Sequence, residues 1–72
     1  MPMTKVVSEV AGSVWKVAAA VGQSVAEGDV LVVIESMKME IPVEAPRAGT
    51  VAELRVREGD PVTEGTIVAV LS

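Results

Sequence analysis

Six consecutive residues, Glu35-Ser36-Met37-Lys38-Met39-Glu40, hold the side chains best suited to chemistry in this sequence. A primary amine sits between two thioethers, with a carboxylate beyond each. A lysine amine in water has a pKa of about 10.4, so it is almost wholly protonated at neutral pH and does not attack spontaneously. It becomes an acyl acceptor when another enzyme engulfs it and removes its proton. The four-carbon stem then serves as part of a tether. Met37 and Met39 are adaptable apolar contacts, suited to a surface that several proteins must grip. The bland reading is a solvated lysine on a loop, with the methionines filling gaps in the core. Glu35 with Glu40, or Glu58 with Asp60, could do acid–base work. A barrel of 72 residues offers no deep apolar pocket to perturb such carboxylates, so the chain is not expected to be an enzyme.

The segment that positions this amine reads as a hairpin. With Met37 and Lys38 as its two-residue tip, Ser36 faces Met39, Glu35 faces Glu40, Ile34 faces Ile41 and Val32 faces Val43. The apolar pairs fall on one face, which supports that register. The tip breaks a local rule. Tight hairpins favour Asn-Gly or Asp-Gly because primed turns need positive φ, and Met-Lys meets a steric penalty there. Glu35 opposite Glu40 also sets like charges across the ladder. Several local rules broken at one spot point to function. Pro42 implies an edge strand or an unbonded N–H.

The hairpin lies at the seam of a repeat. A shift of 37 residues superposes Ala11-Gly12 on Ala48-Gly49, Val14 on Val51, Gly22 on Gly59, Val25 on Val62, Glu27-Gly28 on Glu64-Gly65 and Val33 on Val70. Ser13 with Thr50, Val17 with Leu54, Val30 with Ile67 and Ile34 with Leu71 are conservative pairs. The shared glycines mark turns, and two copies predict an internal pseudo-twofold axis. Alternation places Ala52, Leu54 and Val56 on one side and Glu53, Arg55 and Arg57 on the other. The same offset turns Trp15, Val17 and Ala19 inward, so Trp15 is expected as a core anchor rather than a ligand-stacking residue. Strands are expected near 4–8, 13–20, 30–36, 39–45, 50–57 and 66–71, with short extended pieces around Val25 and Val62. Ala18-Ala19-Ala20 is too short for a helix between valines and Gly22. The expected fold is all-β, a flattened barrel or sandwich with essentially no helix.

Composition narrows the classes further. One domain, 1–72, accounts for the length. Valine dominates the apolar set and favours strands. Neither cysteine nor histidine occurs, which removes disulfides, thiolate metal sites and the commonest general base. The net charge of −4 argues against nucleic acid. No apolar run reaches the roughly 18 residues of a membrane span. Met1-Pro2-Met3-Thr4-Lys5 lacks a signal-peptide core, so the cytoplasm is the expected location. Gly22, Gly28, Gly59 and Gly65 are spaced as strand turns, not as a phosphate loop. Arg47 and Arg55 are read as solvated rather than as contacts to a partner enzyme.

Glu35-Ser36-Met37-Lys38-Met39-Glu40 resembles the biotinyl-domain motif Glu-Ala-Met-Lys-Met. The resemblance extends over nearly the whole chain through Gly22, Glu27-Gly28, Ala45-Pro46, Gly49, Gly59-Asp60 and Glu64-Gly65. It is strongest to small free-standing biotin/lipoyl attachment proteins and to the carrier domains of acyl-CoA, pyruvate and urea carboxylases. It implies two four-stranded antiparallel sheets related by a pseudo-twofold axis. It also implies that biotin protein ligase acylates Lys38 Nζ from biotinyl-adenylate. Biotin so held would move a carboxyl group from a biotin carboxylase site to a carboxyltransferase site. Met37 and Met39 would be recognised beside the lysine, with Glu35, Ser36 and Glu40 as the hairpin context, and the isolated domain would be a monomer. Ser36 replaces the usual alanine. Ser8-Glu9-Val10-Ala11-Gly12 stands where the family commonly has a Pro-Met-Pro-Gly-like stretch, which loosens any link to a particular carboxylase. Lipoyl domains share the fold but commonly flank the lysine with aspartate and alanine, so the two methionines favour biotin over lipoate or dual loading. An unmodified interaction barrel is the alternative of a different class.

Overall fold

The structure, a computed structural model, describes residues 3–72; Met1 and Pro2, the first two residues of the start discussed above, lie outside them. Eight strands follow one another: β1 (Thr4–Val7), β2 (Gly12–Val17), β3 (Ser24–Val25), β4 (Val30–Ser36), β5 (Met39–Glu44), β6 (Gly49–Leu54), β7 (Pro61–Val62) and β8 (Ile67–Leu71). No helix occurs among the described residues. The expected all-β fold is therefore present, with every strand close to its expected place. β2 and β6 end earlier than alternation suggested.

The strands form two four-stranded antiparallel sheets, ordered β1-β8-β6-β3 and β5-β4-β2-β7. The 37-residue shift carries β1–β4 onto β5–β8, and it carries one sheet order onto the other. Each sheet therefore draws strands from both halves, and neither half could close a core alone. The hydrogen bonds repeat with the same symmetry. Gly22 N–H donates to Val51 C=O at 2.8 Å, and Gly59 N–H donates to Val14 C=O at 2.7 Å. Gly28 N–H reaches Ala45 C=O at 2.9 Å, and Gly65 N–H reaches Ser8 C=O at 2.8 Å.

The two inner faces meet in one aliphatic core. Leu31, Val32 and Ile34 of β4 pack with Val68, Ala69 and Leu71 of β8, all fully buried. Both strands are central in their sheets, with a paired neighbour on each side. The molecule measures 36 × 17 × 17 Å. Sheets about 10 Å apart leave room for a single core layer in that cross-section.

Four turns share one construction. Ala20–Gln23, Ala26–Asp29, Arg57–Asp60 and Thr63–Thr66 each close with a backbone bond of 3.0–3.1 Å from fourth residue to first. Each has glycine third, with φ between 89° and 92°. In each, the fourth side chain also accepts a bond from the first residue's N–H: Gln23 Oε1, Asp29 Oδ2, Asp60 Oδ2 and Thr66 Oγ1, at 2.9–3.0 Å. Positive φ at the third position is what a type II turn requires, and glycine adopts it without penalty.

One expectation about the core is wrong. Trp15 is 50% exposed, whereas Val14 beside it is only 2% exposed. The β2–β4 register jumps from Val14↔Ile34 to Lys16↔Val33, leaving Trp15 as the extra residue of a β-bulge. A bulge shifts the alternation by one position, so Val14 takes the inward place. β6 has the same bulge at Ala52, between Val51↔Leu71 and Glu53↔Val70. There Val51 is buried, Val56 remains inside, and Ala52 and Leu54 are only partly covered. Ala19 is buried and Val17 partly so, as expected.

Candidate functional site

The β4–β5 hairpin has the expected register throughout its upper part: Ser36↔Met39, Glu35↔Glu40, Ile34↔Ile41, Val33↔Pro42 and Val32↔Val43. Ile34 is fully buried and Val43 nearly so. Those residues anchor the hairpin's inner face in the core and leave its apex outside. β5 is the edge of its sheet, which accommodates Pro42.

At the apex, Met37 and Lys38 have φ of 52° and 64° and are the non-glycine residues with positive φ among the described residues. A left-handed backbone costs an ordinary L-residue roughly 1–2 kcal/mol. The tip thus carries strain that an Asn-Gly turn would avoid. The side chains project clear of the body. Lys38 is exposed, and Met37 is 93% exposed. Among the described residues no carboxylate pairs with Lys38; the one ion pair joins Arg55 Nε to Glu53 Oε1 at 2.8 Å.

Met39 is also exposed, so neither flanking methionine fills a core gap. Glu35 and Glu40 face each other on the exposed side, and Ser36 is half-buried beneath the tip. All six residues singled out by the sequence therefore come together at one end of one hairpin. Tethering a group through an amide needs a protruding, unpaired amine on a rigid base, and these residues provide one. A pocket is not needed. The cleft of about 340 Å³ between β1 and β5, lined by Val6, Val7, Val10, Ile41 and Pro42 among others, does not include Lys38.

β2 braces this hairpin from the other side. Ser13 pairs with Glu35, and Gly12 lies so close that a Cβ there would meet the Glu35 carbonyl and Ile34 Cγ2. Gly12 closes the Ser8–Gly12 stretch that departs from the family pattern. Ser8 is fully buried; its Oγ–H donates to Val10 C=O at 2.7 Å, and Val10 N–H donates back at 3.4 Å. The hydroxyl holds that loop in a tight local turn. Sequence reasoning gave Ser8 no role. Its twin in the repeat is Ala45, also buried, and that match was the available signal.

Arg47 corrects another expectation. It is half-buried, and its guanidinium bonds Thr4 Oγ1 at 2.7 Å, Ala48 C=O at 2.8 Å, and the carbonyls of Leu71 and Ser72 at 3.3 Å. It joins β1 to the end of β8 instead of standing in solvent. Arg55 is exposed and paired with Glu53 as above.

Residues 1–71 match the family described as "Biotin-requiring enzyme". The chain is 44% identical to the biotin/lipoyl attachment protein of Bacillus subtilis over 64 residues, 89% of this chain and 88% of that protein. It is 46% identical to the biotinylated protein TB7.3 homolog of Mycobacterium leprae over 65 residues, 90% of this chain and 92% of that one. The urea carboxylase structure from Kluyveromyces lactis contains a similar fold. It superposes on all of this chain with a TM-score of 0.95 and 39% identity, covering 6% of its own length.

Proposed function

This chain belongs to the biotin-requiring family of biotin/lipoyl attachment domains, and from that membership we propose that it carries biotin on Lys38 as the non-catalytic carrier of a carboxylase system. The observation that carries this reading is the exposed, unpaired amine at the apex of a left-handed two-residue turn. The chain's own residues do three things. Ile34, Val43 and Gly12 fix the hairpin against the core. The strained Met37-Lys38 turn holds the stem outward. The Lys38 amine, after losing a proton to the ligase, forms an amide bond to biotin as AMP leaves. Held there, biotin supplies a carboxyl-transfer group that moves between a biotin carboxylase site and a carboxyltransferase site. The similarity to subunits and domains of larger carboxylases supports such partners; an acyl-coenzyme A carboxylase alpha3 subunit of M. leprae matches at 50% over 58 residues, 81% of this chain and 10% of that one.

The test is intact-mass measurement after coexpression with biotin protein ligase and, separately, with lipoate ligase. One added biotinyl group is expected, mapping to Lys38 and absent from Lys38→Arg. An unmodified mass with either ligase would support the unmodified interaction barrel. A lipoyl adduct alone would reassign the cofactor. Loading that persists in Lys38→Arg would overturn the site.

A further inference from the structure

The repeat supplies an internal control for the outer surface of each sheet. On the sheet that carries the lysine hairpin, the bulge residue is Trp15; on the other sheet it is Ala52. Trp15 is the one aromatic residue of the sequence, and half of it faces solvent. Val33, cross-strand from Lys16 and Pro42, is half-buried and extends the apolar strip toward exposed Pro42. Its twin Val70 is only 4% exposed. The acidic pair follows the same asymmetry, since Glu35 and Glu40 correspond to Ser72 and Met3. The other sheet does expose Val7 of β1, but the scaffold combines an indole, a neighbouring apolar strip and two facing carboxylates on the sheet whose hairpin bears Lys38.

We propose that this outer face, with Trp15 at its centre, is the docking surface for the enzyme that acylates Lys38, a partner with an apolar pocket for the indole and a basic rim. The inference rests on Lys38 being the loaded residue. Charge complementarity supports the rim: Glu35 and Glu40 lie between the strip and the tip in a chain of net charge −4, with Lys16 the cation beside Trp15. Reach supports the footprint. Val33 is five residues from Lys38, roughly 16 Å along an extended strand. A standard interface of about 800 Å² per partner spans a disc of roughly that radius. A patch centred on Trp15 would thus reach the amine at its edge, and exposed tryptophans at the centre of such patches dominate binding.

The experiment is steady-state biotinylation of the full chain by purified biotin protein ligase, with ATP and biotin saturating and the acceptor chain varied. Trp15→Ala installs the residue that the twin bulge already carries, so the fold should persist; Trp15→Gln serves as a second variant, and thermal melts check both. KM for the chain should rise about tenfold or more with kcat within about twofold, and Trp15→Phe should recover part of the loss. Val21→Ala, which removes an exposed apolar side chain in a distant turn, should leave KM unchanged. A KM for both Trp15 variants within about twofold of the parent would overturn the proposal, as would an equal loss in Val21→Ala. So would a Trp15-dependent self-association seen by sedimentation, which would assign the face to a second copy. If the parent chain loads normally while the Trp15 variants also load normally, only this inference fails. If the parent chain is never loaded at Lys38, the carrier reading fails first and takes this one with it.

Discussion

Met37 and Lys38 occupy a backbone region that their side chains disfavour, at φ of 52° and 64°. Stability alone would place asparagine or glycine there. Met37→Asn keeps the amine and relaxes half of the turn. It should raise unfolding stability by about 0.5–1 kcal/mol in urea titrations, while biotin loading slows if the thioether is gripped. Trp15 shows the opposite relation between size and stability. A buried tryptophan truncated to alanine costs about 3–5 kcal/mol, but this one stands half in water on a bulge whose twin is alanine. Its removal should cost under about 1 kcal/mol. The inward reading of Trp15 followed strict alternation, and alternation holds only while a strand pairs one residue to one. The bulge is invisible in residue types because both bulge positions, Trp15 and Ala52, are apolar. Ser8 was overlooked for a related reason: a lone serine looks solvated until the turn that buries it is known.

At the scale of elements, the four glycine turns set where strands stop and restart. Gly28 and Gly65 have φ of 89° and 91°, and a Cβ on either would meet nothing within 4 Å. Alanine at these positions therefore introduces no clash, only the left-handed penalty. Gly28→Ala and Gly65→Ala should each destabilise by about 1–2 kcal/mol, with similar urea midpoints and an unchanged m value. A large difference between the twins would show that the two halves do not bear load alike. These turns were readable from sequence because glycine repeats at matching positions. The hairpin register was readable because Ile34, Ile41, Val32 and Val43 must share a face. The ends of β2 and β6 were not. After Val17, the N–H groups of Ala18 and Ala19 both donate to Leu31 C=O, and the chain leaves the ladder there. No residue type in Ala18-Ala19-Ala20 announces that exit.

Over the whole molecule, closure depends on contacts between distant parts of the chain. Arg47 ties Thr4 of edge strand β1 to the carbonyls of Leu71 and Ser72 at the end of the neighbouring strand β8. Arg47→Met keeps much of the stem packing and removes the donors. It should cost about 1–3 kcal/mol and should speed amide hydrogen exchange in Thr4–Val7 more than in the central strand β4. An unchanged exchange pattern would show that the guanidinium contributes nothing to holding β1.

The order of residues by itself determined where each strand lies (apart from the ends of β2 and β6), the lysine tip and its register, and the existence of a twofold repeat. Each of those follows from local spacing: glycine at turns, period-two apolar residues, and matching copies 37 residues apart. Tertiary structure alone decided that the two halves exchange strands between sheets, that Trp15 faces out beside the hairpin, and that Arg47 binds backbone carbonyls. Those outcomes depend on which groups meet across the core and along the sheet edges, and such meetings are set by the packing of residues far apart in the chain.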